Sequence, residues 1–284
     1  MMCVMVEKLI LEKTNSQEIV AQFLVNPAFI LLNYNNVEKL LSPFNSTDDI
    51  RLEVEEFLKI NKSRILQQVN FLKSERKKYV FNHLKLIRLY LGDHVLSRFF
   101  NQHLEKVNKH SIALQSLLHE VSHFLNFLTL QKKLDPVIHQ LIDFYSVKVD
   151  LKLRFEDGGW SKVLSYYIDK TEVDNLGERY SISPLIAAKR LPKGLLSLEQ
   201  DLKNNEKFDF DHELGNFCFS IDYNTGDVNF NILSAEESNL LSWITTRIDF
   251  SIEELNNMSF FKESFRWLFN NELIVRTRKN SFGK

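Results

Sequence analysis

A histidine–glutamate–histidine motif is the feature of this chain whose residue types and spacing could do chemistry. His119-Glu120-Val121-Ser122-His123 fits the pattern H-E-x-x-H. In that pattern two histidines on one helix face bind zinc, and the glutamate activates a water molecule. A catalytic zinc site needs a third ligand, and His139 or Asp143 could supply it, although neither stands in a recognisable downstream motif. The motif raises the hypothesis of a zinc-dependent metallohydrolase.

The helix that must position these side chains favours a different interpretation. At about 100° per residue, its apolar side chains centre on one face. His119 and His123 point roughly 150–170° away from that face, toward the expected solvent side. The predicted apolar face consists of Leu117, Leu118, Val121, Phe124, Leu125 and Leu128. We therefore predict a pair of surface histidines without a metal, and we keep zinc hydrolysis as an alternative.

The composition indicates a folded protein of one large domain or two ordinary ones. The chain has 284 residues, of which 44% are hydrophobic, and 23 Phe but only 8 Gly and 5 Pro, which argues against disorder. A net charge of −1 gives no general attraction to nucleic acid or to an anionic membrane. The two cysteines, Cys3 and Cys218, match neither a disulfide framework nor a metal-binding pattern. Because they show no disulfide pattern, a reducing cytoplasm is the expected location. No run approaches the ~18 apolar residues of a membrane span.

Helical patterns dominate the first half of the chain. We predict a helical N-terminal extension over residues 1–72, which carries no chemical motif, and a helical bundle domain over residues 73–156. One helical stripe runs to Gly92, a predicted C-terminal cap, and Asp93 can cap the next helix. Asp135-Pro136 begins another helix with a cap and a first-turn proline. The short connections predict antiparallel neighbours.

The last part of the chain, residues 214–284, has a different organisation. It follows a mixed connecting segment over residues 157–213. The predicted segments are a hairpin of alternating residues over 215–232 with its turn at Asn224-Thr225-Gly226, capping boxes at Ser234–Glu237 and Ser251–Glu254, a third helix over Phe260–Phe269, and a strand over Leu273–Val275. This outline predicts an α+β fold, in which an all-helical bundle domain precedes a winged-helix-like module.

Such a module could read DNA or a peptide. A DNA reader carries basic residues along its third helix, but here only Lys262 and Arg266 are basic. Phosphate contacts require clustered cations, and two basic residues are few for that purpose. A DNA-binding regulator is therefore kept only as an alternative. The favoured interpretation is a peptide that adds as a strand beside the hairpin. The predicted peptide-binding residues are Val228, Phe230, Ile232, Phe261, Lys262, Phe265 and Arg266.

A series of degenerate motifs follows in a fixed order between residues 73 and 276. In the first half they are Glu75-Arg76 with Tyr79 and Asn82, Tyr90-Leu91-Gly92-Asp93 with Phe99-Phe100, the helix from Ser111 to Leu125, and Leu134-Asp135-Pro136 to Asp150. In the second half they are Ser183-Pro184-Leu185 with Lys189-Arg190-Leu191, Leu233 to Glu237 with Leu240-Leu241, and Trp267-Leu268-Phe269 with Leu273-Ile274. This order and spacing resembles the accessory subunits that pair with multinuclear non-haem iron oxidative enzymes. Those pairs modify ribosomally made peptides, as in the methanobactin and 3-thiaglutamate pathways.

The resemblance implies a subunit that is not catalytic by itself. In that family the iron and its ligands belong to the partner enzyme, so no cofactor is expected in this chain. The resemblance implies that the winged-helix-like module binds the leader of a precursor peptide and that the subunit presents the substrate cysteine to the partner's iron. It gives no counterpart for residues 1–72, and His119, Glu120 and His123 are not part of its pattern. The expected partners are the iron enzyme and the peptide, with no nucleic acid and no membrane.

Overall fold

The computed structural model divides the chain into two compact units. It describes residues 19–20, 36–42, 47–106, 116–159, 166–167, 179–204, 210–222, 225–256, 262–271 and 273–277. The N-terminal unit is Met1–Leu130 and the C-terminal unit is Gln131–Lys284. The predicted mixture of helix and sheet is confirmed, while the domain boundaries at 72, 156 and 213 stay predictions. Several predicted features lie outside the described residues: Cys3, most of the helical pattern before residue 36, the helix start at Ser111, the turn residue Asn224, and Phe260 and Phe261.

The N-terminal unit is helical in its described residues. Its helices are α1 Val37–Leu41, α2 Asp48–His83, α3 Lys85–Leu91, α4 Asp93–Lys106 and α5 Leu117–Thr129. The long helix α2 runs through residue 72 without a break, so the predicted extension and the predicted bundle share one helix. Gly92 ends α3 with φ +76°, in the left-handed region that glycine adopts without strain, as its predicted role as a cap requires.

The apolar spacing of α2 explains how it packs. Its buried residues Val54, Leu58, Ile65 and Val69 recur at intervals of four or seven, so they share one face. That face forms a core cluster together with Ile19, Leu40 and Leu41. Fully burying each such side chain stabilises a fold by roughly 1.5–3 kcal/mol.

The C-terminal unit contains one long helix, short helices and two antiparallel sheets. Its helices are α6 Pro136–Arg154, α7 Leu198–Asn204, α8 Ala235–Thr245, α9 Ile252–Asn256 and α10 Lys262–Asn270. Its strands are β1 Tyr166–Tyr167, β2 Arg179–Ile182, β3 Ile186–Pro192, β4 Leu214–Ile221, β5 Val228–Leu233, β6 Phe250–Ser251 and β7 Ile274–Thr277. The predicted start of α6 is confirmed: the Val137 N–H donates to Asp135 Oδ1 at 2.8 Å, and Pro136 occupies the first turn. A π-helical turn over Phe155–Gly159 follows α6.

The predicted hairpin and first capping box are confirmed. Strand β5 pairs with β4, which pairs with β3, in the order β3-β4-β5. Gly226 in the turn has φ +71°. Ser234 and Glu237 form the reciprocal capping box that begins α8. The predicted final strand exists as β7, but it joins the second sheet, in the order β1-β7-β2-β6, and does not pair with the hairpin.

The three-stranded sheet lies between two helical layers. Successive residues of β4 point to opposite faces. Phe219 faces α6, where its ring centroid lies 5.6 Å from that of Phe144. Cys218 faces the other way, into a core cluster that includes Leu240 and Leu241 of α8. Both faces of β4 are therefore buried, which fixes the register of the hairpin.

None of the helices within the described ranges is both long enough and apolar enough to cross a lipid bilayer.

Candidate functional site

The H-E-x-x-H motif lies on α5 with its glutamate turned inward. Glu120 is 9% exposed, whereas His119 and His123 are half-buried rather than exposed as predicted. Five of the six predicted apolar-face residues are buried. The exception is Leu117, which is 45% exposed because it stands at the first position of the helix.

Glu120 joins three helices. Its Oε2 accepts a hydrogen bond from the Arg76 guanidinium on α2, and its Oε1 lies 3.1 Å from His103 Nε2 on α4. His103 is 3% exposed and packs among aromatic rings, at centroid distances of 5.4 Å from Phe124 and 5.6 Å from Phe127. We call Arg76, His103 and Glu120 the Arg–Glu–His cluster. It ties α2, α4 and α5 together through one carboxylate.

The surroundings keep Glu120 ionised. Burial by itself raises the pKa of this carboxyl group, but the hydrogen bond from His103 and the positive charge of Arg76 together outweigh burial and lower it. A carboxylate with a lowered pKa, whose two oxygens already accept hydrogen bonds, is poorly suited to take a proton from a zinc-bound water. Asp143, considered above as a third ligand, instead pairs with Lys189 at 2.8 Å. The described residues include no group of three or more His, Cys, Asp or Glu side chains that could hold a metal ion.

Sequence patterns did not identify this cluster. Arg76 belongs to the run Glu75 to Lys78, a pattern that favours a solvated face, and His103 stood in no motif. A signal was present, however, because His103 directly precedes Leu104 and follows Phe100 by three residues, so it shares their helix face. A histidine inside an apolar stripe predicts a buried polar partner.

His123 should make the N-terminal unit sensitive to acid. Burial lowers its pKa below the ordinary 6.5, His103 and His119 lower it further, and Glu120 opposes them. The unfolded chain therefore takes up this proton first as the pH falls, so the stabilisation is complete above 6.5 and is lost as the pH falls through the folded pKa. We expect the free energy of unfolding, measured by urea titration, to decline as the pH falls below about 6.5, and His123→Gln to remove part of that decline.

The exposed His94 provides the matched control for this prediction. His94→Gln should keep the wild-type decline in stability. If His123→Gln and the wild-type chain lose stability equally over this pH range, burial of His123 is not the cause.

Strand β5 presents the second candidate site, because it is an edge strand of the three-stranded sheet in the described residues. The Asp222 N–H donates to the Asp227 carbonyl at 2.8 Å, which sets the alternation of hydrogen bonds along the hairpin. The backbone groups of Val228, Phe230 and Ile232 therefore point away from β4. Among the described residues of the C-terminal unit, β5 pairs with β4 alone. This edge thus offers three N–H and three C=O groups to an added strand.

The side chains of the same three residues hold β5 against α6. The Phe230 ring lies 5.0 Å from that of Phe144, edge to face, and 5.9 Å from that of Phe219. Val228 is buried and Ile232 is half-buried. The strand is therefore fixed by its side chains and leaves its outer backbone available.

The opposite edge, β3, is protected against an added strand. Lys193 N–H donates to the Glu213 carbonyl, so the backbone groups of Ala188, Arg190 and Pro192 point outward. Proline has no N–H to offer, and Arg190 is an exposed charge, both of which discourage edge pairing. Strand β5, with the sequence Val-Asn-Phe-Asn-Ile-Leu, contains neither a proline nor a charged residue.

The predicted residues on α10 are only partly available to a peptide. Phe265 is 3% exposed and packs against Tyr180 and Phe250, so it belongs to the core. Lys262 and Arg266 are exposed, and Phe261 lies outside the described residues. Helix α10 packs on α8 and β7, whereas β5 packs on β4, α6 and α8. The predicted site residues therefore fall into two groups on different elements.

Cys218 is a core residue. It is 1% exposed, and burial raises the pKa of its thiol to about 12. Because the thiolate is the nucleophile and the metal ligand, this cysteine is unsuited to either role.

No protein-family model matches the chain, and a comparison with curated proteins also gives no match.

Proposed function

We propose that this chain is the non-catalytic subunit of a heteromeric peptide-modifying enzyme. It binds the leader of a ribosomally made precursor peptide and presents the peptide's cysteine to an iron-dependent oxidative partner. The hairpin, α8, α9 and α10 make up the winged-helix-like, peptide-recognising module of this proposal, and the helices before it form the bundle that docks on the partner.

The observation that carries the proposal is the free edge of β5. An extended peptide adds to such an edge through backbone hydrogen bonds, and pockets for alternate side chains give specificity. Val228, Phe230 and Ile232 turn their backbone groups outward on a strand that is held in place by α6 and lacks the usual protection of an edge. Lys262 and Arg266 are exposed on α10 and could contact other parts of the peptide.

Two further observations support a role without catalysis in this chain. The carboxylate of the H-E-x-x-H motif is engaged by Arg76 and His103. The one cysteine in the described residues is buried with a raised pKa. Zinc hydrolysis and DNA binding remain the alternative hypotheses, and each has a simple test: stoichiometric zinc in untagged protein, and DNA affinity that falls steeply with salt.

The proposal predicts that a non-haem iron enzyme is encoded beside this chain, and co-expression of the two proteins tests it. We expect one complex on size-exclusion chromatography with light scattering, with all of its iron retained by the partner when the two subunits are separated. Elution of this chain alone at its own mass of 33.5 kDa, in the presence of excess partner, would contradict the proposed assembly.

A further inference from the structure

A row of cations on α6 runs beside the beginning of β5. Lys148 and Lys152 stand one helical turn apart. The Lys152 ammonium lies 3.4 Å from Oδ1 of Asp227, the residue directly before β5. Two residues beyond Lys152, Arg154 pairs with Asp150 of the same helix. Lys148 forms no ion pair with any residue that the structure describes.

The Lys148 ammonium stands over the aromatic rings that join α6 to the edge strand. It lies 5.4 Å from the ring centroid of Phe144 and 5.7 Å from that of Phe230. These ring faces attract a cation, and they hold it next to β5, whose outer backbone pairs with no other strand among the described residues. The charge is therefore placed at the rim of the proposed peptide site, on the face that carries the Phe230 side chain.

The local electrostatics favour an incoming anion. Burial lowers the pKa of Lys148, the neighbouring charge of Lys152 lowers it further, and Asp227 acts in the opposite direction. Asp227 already pairs with Lys152. A second carboxylate beside Lys148 would replace the hydration that the ammonium has lost, whereas a basic side chain at the same place would add repulsion.

The geometry of strand addition defines where that carboxylate would come from. A peptide strand would lie about 4.8 Å beyond β5. The peptide residue opposite Phe230 would place its side chain on the same face as the Phe230 ring. That face is the one toward α6 and Lys148.

We propose that the peptide bound at β5 is an extended segment with an acidic residue opposite Phe230, and that its carboxylate pairs with the Lys148 ammonium. This inference rests on the proposed function, because it presupposes that a peptide adds to β5. The inferred ligand is therefore an extended leader segment. An Asp or Glu in it occupies the position opposite Phe230, and its side chain lies on the same face as the Phe230 ring.

Selection from a display library of random ten-residue peptides tests the inference on the full chain. We expect peptides selected on the wild-type chain to share one acidic position. Their affinity should fall at least about tenfold in Lys148→Met and be largely kept in Lys148→Arg, because a hydrogen-bonded charge pair is lost in the first variant and retained in the second. Selection on Lys148→Glu should yield Lys or Arg at that same position.

Lys152→Met is the matched control, since Lys152 already has Asp227 as its partner. It should keep the affinity of the selected peptides within about threefold, as is usual for a partly exposed ion pair. Selected peptides without a shared acidic position, or an acidic preference that persists in Lys148→Met, would overturn the inference while leaving strand addition intact. A library that gives no binder, or binders whose affinity is the same in Ile232→Pro, would contradict the proposed peptide site itself.

Discussion

The Ile232→Pro variant is expected to bind the leader peptide at least about tenfold more weakly than the wild-type chain. The Ile232 N–H points away from β4, so proline at this position leaves the hairpin hydrogen bonds in place and removes one donor from the free edge. The proline ring also fills the space that an added strand must occupy. Fluorescence anisotropy with a labelled synthetic leader peptide, taken from the precursor that the proposed function predicts, measures the change.

Two substitutions separate the backbone effect from other causes. Ile232→Ala loses a similar part of the side chain but keeps the N–H, so its affinity should stay within about threefold of wild type. Ala188→Pro makes the same kind of change at an outward position of β3, the other edge of the sheet, and should leave the affinity unchanged. A larger loss in Ala188→Pro than in Ile232→Pro would move the peptide site to β3, where a groove of about 300 Å³ is lined by residues including Ala188, Arg190 and Ser242.

Replacing Arg76 by methionine is expected to destabilise the protein by about 3 kcal/mol. The change leaves the Glu120 carboxylate, which is 9% exposed, without its guanidinium partner in the N-terminal unit. The hydrogen bond from His103 remains, but breaking a buried ion pair by removing one partner typically costs about 3–5 kcal/mol. Urea unfolding followed by far-UV circular dichroism measures the loss, because the described elements of the N-terminal unit are helices.

The matched control is Arg88→Met, which removes the guanidinium of an exposed pair with Asp93. Exposed ion pairs contribute little, so its urea midpoint should stay close to that of the wild-type chain. The double variant Arg76→Met/Glu120→Gln should recover at least about 1 kcal/mol relative to Arg76→Met, because the buried charge is then absent. Equal losses in Arg76→Met and Arg88→Met would show that the stability of the buried Glu120 carboxylate does not depend on Arg76.

Local signals in the sequence predicted several elements of the C-terminal unit correctly. Alternation on both sides of Gly226 identified the β4–β5 hairpin, and Ser234 with Glu237 marked the beginning of α8, because both depend on interactions within a few residues. The partners of β7 could not be predicted in the same way. Its register with β2 joins residues far apart in the chain, and that register follows from packing of a shared core rather than from local pattern.

The same distinction applies to the candidate sites. Helical periodicity predicted five of the buried residues of α5 correctly, but it placed His119 and His123 in solvent, whereas both are half-buried. The contacts of Glu120 with Arg76 and His103 join three helices that are separated in sequence, so no local pattern reveals them. Phe265 has the periodicity of a core residue and lies in the core, although it was also a candidate for peptide contact.

Amide hydrogen exchange on the peptide complex tests the central claim most directly. If the leader adds as a strand to β5, the amides of Val228, Phe230 and Ile232 become protected when the synthetic leader peptide is bound. The outward amides of Ala188 and Arg190 on β3 should exchange at the same rate with and without peptide. Protection confined to β3, or no protection of β5 at peptide concentrations that saturate binding, would contradict the account.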